Sequence, residues 1–335
     1  MSTLLAGDVG GTKTRLGLFQ LHEDPKAAYV EATFPSANYP SLEAIAQEFL
    51  AQNRAAIRYA SFGVAGPVIQ GQAKITNLPW TVDQKAIASA LGIADVNLVN
   101  DLEATATSVP HLGKSDLLTL NPAKADPHGT MAVIAPGTGL GEAFITLDGP
   151  RRHVHPSEGG HADFAPRNPS EVELLTDLMQ RMDHVSYEEV CSGIGIRNIH
   201  AHYAKTNADT PRWHAEELDV EDPVPLMARA AFSEDSRCGT CAATFDTFAS
   251  ILGAEAGNLA LKVLATGGVY IGGGIPRKTL PLFKSPSFMA SFMKKGRMSQ
   301  LVSRIPVQVI INPRAALLGA AHSGIEHLNS GLSEE

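Results

Sequence analysis

One pattern occurs twice in this chain: an apolar strand, a glycine-rich loop and a second strand. The first copy spans residues 4–20 and turns at Gly10-Gly11-Thr12, and the second spans 131–147 and turns at Gly137-Thr138-Gly139-Leu140-Gly141. Such self-similarity is the sign of a duplicated architecture, although two unrelated β-hairpins would look the same. In the first copy we expect the glycine pair to supply the positive φ angles of a tight hairpin.

The rest of the chain alternates strands with helices, which indicates an α/β protein with a largely parallel core. Helices are expected where apolar residues recur at helical spacing or follow a capping residue. The predicted helices are 42–53, 83–91, 245–264 and 313–328, and two that begin at the capping boxes Ser170-x-x-Glu173 and Ser186-x-x-Glu189. The predicted strands include 59–65, 96–99 and 267–271. Gly253 and Gly257 would give the long helix a surface that another backbone can approach closely.

Length, charge and cysteine content narrow the class of protein. The chain has 335 residues, more than one hydrophobic core usually serves, so we expect two domains. A net charge of -8 without a basic stripe argues against a nucleic-acid partner. The 3 cysteines fit a reducing compartment, and no apolar run approaches the roughly 20 residues of a membrane helix. We therefore expect a cytoplasmic protein without a membrane partner, with the polar segment 202–225 as a surface excursion.

Three glycine-rich loops suit the binding of phosphate groups. Glycine lets backbone N–H groups close around phosphate oxygens, which a Cβ atom would obstruct. Thr12 adds a hydroxyl donor to the first loop, and Asp8 is placed to hold a hydrated Mg²⁺. None of the loops matches a Walker A motif or a dinucleotide fingerprint, and each alone could be a plain turn. Together with Gly272-Gly273-Gly274, however, the two hairpin loops favour a bound nucleotide.

Several polar residues suit a substrate rich in hydroxyl groups. Asn100 and Asp101 follow a strand directly, where ligands bind in α/β sheets, although the pair could merely begin a turn. Glu158 and His161 flank a Gly-Gly pair, so both side chains can face one cavity, and their donors and acceptors suit the vicinal hydroxyls of a sugar. Glu188 falls in the first turn of the helix predicted from Ser186, where it is either a helix-terminus carboxylate or free for a ligand.

A zinc site is the weaker reading of the histidines and cysteines. His153, His155 and His161 have no carboxylate or thiolate at a usual zinc spacing. Cys238-x-x-Cys241 is a lone pair without a matching second pair, so we expect these thiols to be inert.

These residues together resemble the bacterial glucokinase family, within the superfamily of sugar kinases, actin and heat-shock ATPases. The resemblance covers nearly the whole chain, and its most specific stretch is Glu158 to Pro166. The matching segments, in the order of the family, are Gly7 to Thr12, Leu98 to Asp101, Gly137 to Gly141, Glu158 to Pro166, His184 to Glu188, and Gly267 to Gly274. The related zinc-bearing branch has a cysteine cluster soon after Gly-His, whereas residues 162–169 here contain no cysteine.

The resemblance implies a fold, a reaction and a set of residues. It implies a two-domain, actin-like ATPase fold of the ribonuclease H-like type, with a small α/β domain (1–110 plus 312–335), a large α/β domain (111–311) and a cleft between them. It implies transfer of a phosphoryl group from ATP to the 6-hydroxyl of glucose, the first step of glycolysis, with Mg²⁺ as cofactor and a homodimer as the assembly.

In the family, the residue that matches Asp101 is the catalytic base. The expected glucose contacts are Asn100, Asp101, Glu158, His161 and Glu188. The expected ATP contacts are Gly7, Asp8, Val9, Gly10, Gly11, Thr12, Thr138, Gly139 and Gly273, and Asp8 would hold Mg²⁺ through water.

Two other classes of protein compete with a hexose kinase. A sugar-sensing regulator would be expected to carry a helix-turn-helix or a basic surface, and the sequence shows neither. A filament-forming or chaperone ATPase of the same superfamily would have no evident use for Glu158, His161 and Glu188. Within the kinases, mannose or fructose remains an alternative to glucose.

Overall fold

The computed structural model describes residues 3–21, 25–75, 78–149, 151–206, 222–233 and 238–331. Its contacts divide the chain into two compact units, Met1–Asp116 with Asn312–Glu335, and Leu117–Ile311. Of the polar segment 202–225, residues 207–221 lie outside the described part, while 202–206 end one helix and Val224 begins another. In the described ranges, no helix is both long and apolar enough to cross a bilayer.

The first unit is built on a five-stranded sheet with the order β3-β2-β1-β4-β7. Buried apolar side chains such as Leu5, Val9 and Phe62 form its core. Its strands are β1 (Thr3–Val9), β2 (Lys13–Gln20), β3 (Val30–Pro35), β4 (Tyr59–Val64), β5 (Gln72–Lys74), β6 (Thr81–Asp83) and β7 (Asp95–Asn100). Its helices are α1 (Leu42–Asn53), α2 (Gln84–Leu91), α3 (Asp101–Ser108) and the C-terminal helix (Ala315–Gly331).

The second unit is built on a six-stranded sheet with the order β11-β10-β9-β12-β13-β8. Its strands are β8 (Leu117–Asn121), β9 (Met131–Pro136), β10 (Leu140–Asp148), β11 (Arg151–Ser157), β12 (Gly268–Ile271) and β13 (Val307–Ile310). Its helices are α4 (Pro169–Met179), α5 (Gly193–Thr206), α6 (Val224–Phe232), α7 (Gly239–Lys262), α8 (Gly274–Lys278), α9 (Ser287–Met293) and α10 (Ser299–Val302).

The two sheets repeat one topology, which resolves the question that the doubled hairpin left open. In the first sheet β1 pairs antiparallel with β2 and parallel with β4, which in turn pairs parallel with β7. In the second sheet β9 has the same relations to β10 and β12, and β12 pairs parallel with β13. Two unrelated hairpins would not share this order, so the duplicated architecture is confirmed. The expectation of a largely parallel core is confirmed only for β1, β4 and β7 and for β9, β12 and β13. Both sheets are mixed, because each hairpin adds antiparallel strands and β8 pairs antiparallel with β13.

Most of the predicted helices are confirmed, some with the expected caps. Helix α1 begins after Ser41, whose hydroxyl accepts a hydrogen bond from Ala44 N at 3.4 Å. Helix α2 begins after Asp83 and ends at Gly92, which has a φ angle of 64°. The C-terminal helix begins at Ala315 rather than at Pro313. The glycines of α7 serve the close approach that we expected, since a Cβ atom on Gly253 or Gly257 would collide with the backbone of α9.

Both predicted capping boxes are wrong, for different reasons. Helix α4 is capped by Asn168, which accepts from Glu171 N at 2.9 Å, while Pro169 occupies the first helical position. Ser170 therefore lies inside the first turn rather than at the cap. The segment that begins at Ser186 forms turns instead of a helix, and α5 begins only at Gly193.

Candidate active site

The first glycine loop joins β1 to β2 and is closed by a backbone hydrogen bond. Gly10 N donates to Lys13 O at 3.1 Å, which closes the hairpin, and the side chain of Thr12 is exposed. Neither Gly10 nor Gly11 has a positive φ angle, so that expectation is wrong. A loop of three residues turns the chain here, and it does not need the mirror-image conformation of a two-residue hairpin turn.

Asp8 lies near the end of β1, opposite Arg15 in β2 and Gly63 in β4. Burial raises the pKa of its carboxyl above the usual range, and the positive charges of Arg15 and Lys13 partly offset that rise. Gly7 and Val9, which we expected among the ATP contacts, are buried within the strand. A Cβ atom on Gly7 would lie 2.5 Å from Phe62 Cδ1, and Val9 is 0% exposed. Packing thus fixes both residues in the strand, and their contact with ATP stays a prediction.

Asn100 and Asp101 lie where β7 ends and α3 begins. Asn100 is the N-cap: its Oδ1 accepts from Leu102 N at 2.9 Å, and its Nδ2 donates to Gly66 O at 3.0 Å. The carboxylate of Asp101 accepts from Leu102 N at 2.8 Å. Burial raises the pKa of Asp101 to about 6, with a further contribution from the negative charge of Asp8. Asp8 and Asp101 thus both lie near strand ends of this sheet, close enough for the charge of Asp8 to raise the pKa of Asp101.

The second glycine loop and Gly273 lie side by side in the second unit. Gly137 N donates to Gly139 O at 2.8 Å, and Gly137 O accepts from Gly193 N at 2.9 Å, while Thr138 is exposed. Gly273 has a φ angle of 88°, and a Cβ atom on it would collide with the carbonyl group of Pro136. Only glycine fits this position, because the loop after β12 crosses the end of β9 in close contact.

Glu158 and His161 are exposed on a short 3-10 turn that follows β11. Their side chains are 87% and 58% exposed, with 3.8 Å between His161 Nε2 and Glu158 Oε2, so both are free to meet a ligand. The two glycines between them allow close packing against β10. A Cβ atom on Gly159 would collide with the carboxylate of Glu142, and one on Gly160 would collide with the carbonyl oxygen of Leu140.

Glu188 connects the second glycine loop to this 3-10 turn. Its Oε2 accepts from Leu140 N at 2.8 Å, and its backbone N donates to Gly160 O at 2.8 Å. The carboxylate packs so closely on Gly139 that a side chain there would collide with it. The interpretation of Glu188 as a carboxylate at a helix N-terminus is wrong, because α5 begins only at Gly193.

No group of three or more His, Cys, Asp and Glu residues in the described part of the chain could hold a metal ion. His155 stacks on Phe144 with 4.8 Å between the ring centroids, and its Nε2 lies 2.8 Å from Thr146 Oγ1. Cys191, Cys238 and Cys241 are buried, and none of them forms a disulfide.

Two acidic residues near the site were missed by sequence reasoning, and both are buried. Glu142 is 1% exposed and Glu255 is 0% exposed. Glu255 accepts from Lys262 Nζ at 2.9 Å and from Asn258 Nδ2 at 2.8 Å, whereas Glu142 Oε1 has no hydrogen-bond partner among the described residues. Burial raises the pKa of Glu142 to about 7, the charge of Glu255 adds to that rise, and Lys262 opposes it. The available signal was a charged residue inside an otherwise apolar element, a strand for Glu142 and the helix α7 for Glu255.

We expect Glu142→Gln to be more stable than wild type, and the gain in stability to be larger at pH 8 than at pH 5.5. The pKa of Glu142 is about 7 in the folded state against an ordinary 4.5, so a penalty for its ionised form accumulates as the pH rises between these values and is complete above 7. At about 1.4 kcal/mol for each pKa unit, the penalty is on the order of 3 kcal/mol. Melting temperatures of wild type and variant at the two pH values test this.

The exposed Glu173 supplies the control, since Glu173→Gln should leave the pH dependence unchanged. An equal difference in melting temperature between wild type and Glu142→Gln at both pH values would contradict the raised pKa.

Comparison with known proteins gives one consistent result. The family model described as Glucokinase matches residues 5–327. A curated glucokinase from Nostoc punctiforme is 40% identical over 337 residues, which cover 96% of this chain and 98% of that protein. A crystal structure of glucokinase from an Antarctic psychrotroph is 32% identical, with a TM-score of 0.83, and covers 97% of this chain and 99% of the other. A glucokinase from Balamuthia mandrillaris in complex with glucose, 21% identical with a TM-score of 0.77 and covering 97% of this chain and 94% of the other, shares the fold.

Proposed function

The chain belongs to the glucokinase family, whose reaction is the ATP-dependent phosphorylation of glucose, and we propose that Asp101 is the catalytic base of that reaction. One observation carries the proposal: a carboxylate follows a buried strand directly, and its pKa is raised to about 6. A base with this pKa is mostly ionised at pH 7 and still accepts a proton readily.

Asp101 takes the proton of the attacking hydroxyl as negative charge develops on that oxygen. The hydrogen bond from Leu102 N fixes Oδ1, so Oδ2 is the atom offered to the sugar. Asn100 keeps one amide hydrogen beyond its bond to Gly66, and this hydrogen can be donated to a second hydroxyl. In this scheme the acceptor is the 6-hydroxyl of glucose.

Glu158, His161 and Glu188 are the other proposed sugar ligands. The exposure of Glu158 and His161 supports this role, because neither side chain is committed to the fold. Glu188 has one carboxylate oxygen on Leu140 N and a second one for a hydroxyl. A site built on such hydrogen bonds rejects sugars that leave its polar groups without partners, which favours one hexose over its isomers.

The glycine loops are the proposed ATP contacts. In the first unit, Gly11 and Thr12 offer backbone N–H groups and the exposed Thr12 hydroxyl, while Gly10, whose own N–H bonds to Lys13 O, lets phosphate approach without a side chain in the way. In the second unit, Thr138, Gly139 and Gly273 offer backbone N–H groups and the exposed Thr138 hydroxyl. Gly7 and Val9 lie in β1, directly before the first loop. They support the loop from within the strand and do not offer a side chain to ATP.

The residues at the first loop fit a magnesium ion. Mg²⁺ prefers hard oxygen ligands and is usually held by one or two carboxylates together with waters and phosphate oxygens. Asp8 supplies such a carboxylate, and the nearby Asp101 adds to the negative charge that a cation would neutralise. When bound, the ion would supply positive charge for the phosphate oxygens of ATP.

The family resemblance supports a homodimer. The small number of cysteines, which are buried and form no disulfide, supports a cytoplasmic location. Sedimentation at micromolar concentration would test the first of these proposals.

The experiment that tests Asp101 is the pH dependence of kcat/KM for glucose at saturating ATP. Protonation removes the base, so kcat/KM should be level above about pH 6 and fall tenfold for each pH unit below it. Because Asp8 contributes to the shift, the two carboxyls titrate as a coupled pair. A profile that stays level down to about pH 5, in protein that remains folded, would contradict the proposal.

A further inference from the structure

Ser36 is a buried serine that the proposed chemistry does not use, although it contacts the first glycine loop. It follows β3 and is 0% exposed. Its hydroxyl donates to Gly10 O at 2.8 Å, and its backbone N donates to Thr12 O at 3.1 Å. Ser36 thus holds both carbonyl groups at the two ends of the loop.

A second buried hydroxyl completes the arrangement. Thr14 is 0% exposed, and its Oγ1 lies 3.0 Å from Ser36 Oγ. A serine hydroxyl has a single proton, and that of Ser36 goes to the carbonyl oxygen of Gly10, which can only accept. Thr14 must therefore donate to Ser36. The result is a directed relay from Thr14 to Ser36 to Gly10.

The relay sets which way the peptide between Gly10 and Gly11 faces. The bond is trans, so its C=O and N–H point in opposite directions. With the carbonyl oxygen turned to Ser36, the N–H of Gly11 is directed to the opposite side. A reversed peptide would instead present a carbonyl oxygen there, and a carbonyl oxygen repels phosphate.

The orientation of this peptide is not fixed by the two residues that form it. Reversal changes ψ of the first residue and φ of the second, and glycine accepts positive φ without steric cost. Since both residues are glycine, nothing local prevents the reversal. The hydrogen bond from Ser36 is the contact that opposes it.

We propose that Thr14 and Ser36 are positioning residues that fix the Gly10–Gly11 peptide in the orientation that binds the phosphates of ATP. The proposal rests on the assignment of this loop to ATP. Because both side chains are 0% exposed, we expect neither to touch the nucleotide. Their effect should therefore appear in the KM for ATP, with the KM for glucose unchanged.

Thr14→Val and Thr14→Ser form the decisive pair. Valine keeps the shape of threonine and loses the hydroxyl, whereas serine keeps the hydroxyl and loses a methyl group. Loss of a buried hydrogen-bond donor should raise the KM for ATP about tenfold in Thr14→Val and in Ser36→Ala, and the KM in Thr14→Ser should stay close to wild type. Ser61→Ala is the matched control, because Ser61 is also 0% exposed and bonds to Asn97 away from the loop.

The outcomes separate this inference from the function on which it rests. Gly11→Pro removes the amide itself, so an unchanged KM for ATP in that variant would show that the loop is no phosphate site. A raised KM in Gly11→Pro, with wild-type values in Thr14→Val and Ser36→Ala, would overturn the relay alone. A larger loss in Thr14→Ser than in Thr14→Val would also overturn it, since packing rather than the hydroxyl would then matter.

Discussion

Replacing Asp101 by asparagine should lower kcat by roughly 10²–10⁴-fold, with ATP binding and the melting temperature close to wild type. An amide keeps the hydrogen bond from Leu102 N but cannot take up a proton. The effect should fall on kcat more than on the KM for glucose, because the interaction strengthens as the attacking oxygen gains charge. Asp101→Ala should be impaired to a similar degree.

Asp95→Asn is the control, since it makes the same chemical change at a half-exposed residue of the same unit, where Asp95 pairs with His327. Steady-state rates with saturating ATP and glucose provide the comparison. If Asp101→Asn kept more than about a tenth of the wild-type kcat, Asp101 would be a sugar-binding residue and not the base.

Asp8→Asn should lower kcat by about 10²–10³-fold, the range expected when one group that organises charge at the reacting phosphate is lost. The amide is a weaker ligand for Mg²⁺ than a carboxylate, so the concentration of Mg²⁺ that gives half-maximal activity should rise as well. A titration with Mg²⁺ at fixed ATP measures both effects.

The same variant provides a check on the coupling between the two carboxyls. Without the negative charge of Asp8, the pKa of Asp101 should move down from about 6, because that charge is one of the causes that raise it. An Asp8→Asn protein with wild-type activity and an unchanged Mg²⁺ requirement would exclude Asp8 as the metal ligand.

The sequence was informative where a residue's role depends on its own strand or loop. Asp101 could be placed at a strand end from the predicted strand 96–99 alone, and Asp101 does follow strand β7 directly. The doubled hairpin likewise pointed to the repeated sheet topology. In both cases the signal is local, because strand periodicity and glycine loops are written in neighbouring residues.

The sequence was misleading where distant contacts decide the structure. Ser186-x-x-Glu189 satisfies the pattern of a capping box, yet no helix begins there. Glu188, within the same segment, instead accepts a hydrogen bond from Leu140 N, on a strand far away in sequence. Ser36 gave no signal at all, because its contact with Gly10 exists only once β3 pairs with β2. Similarly, the buried carboxyl of Glu142 meets Glu255 only in the folded unit.

This chain transfers a phosphoryl group from ATP to the 6-hydroxyl of glucose. The most direct test is ADP release with glucose, mannose, fructose and 6-deoxyglucose as acceptors. Glucose should give the highest kcat/KM, with glucose 6-phosphate and ADP formed in equal amounts. 6-Deoxyglucose lacks the acceptor, so it should support no transfer and should inhibit competitively against glucose. A higher kcat/KM for fructose than for glucose, or phosphorylation of 6-deoxyglucose, would show that the 6-hydroxyl of glucose is not the preferred acceptor.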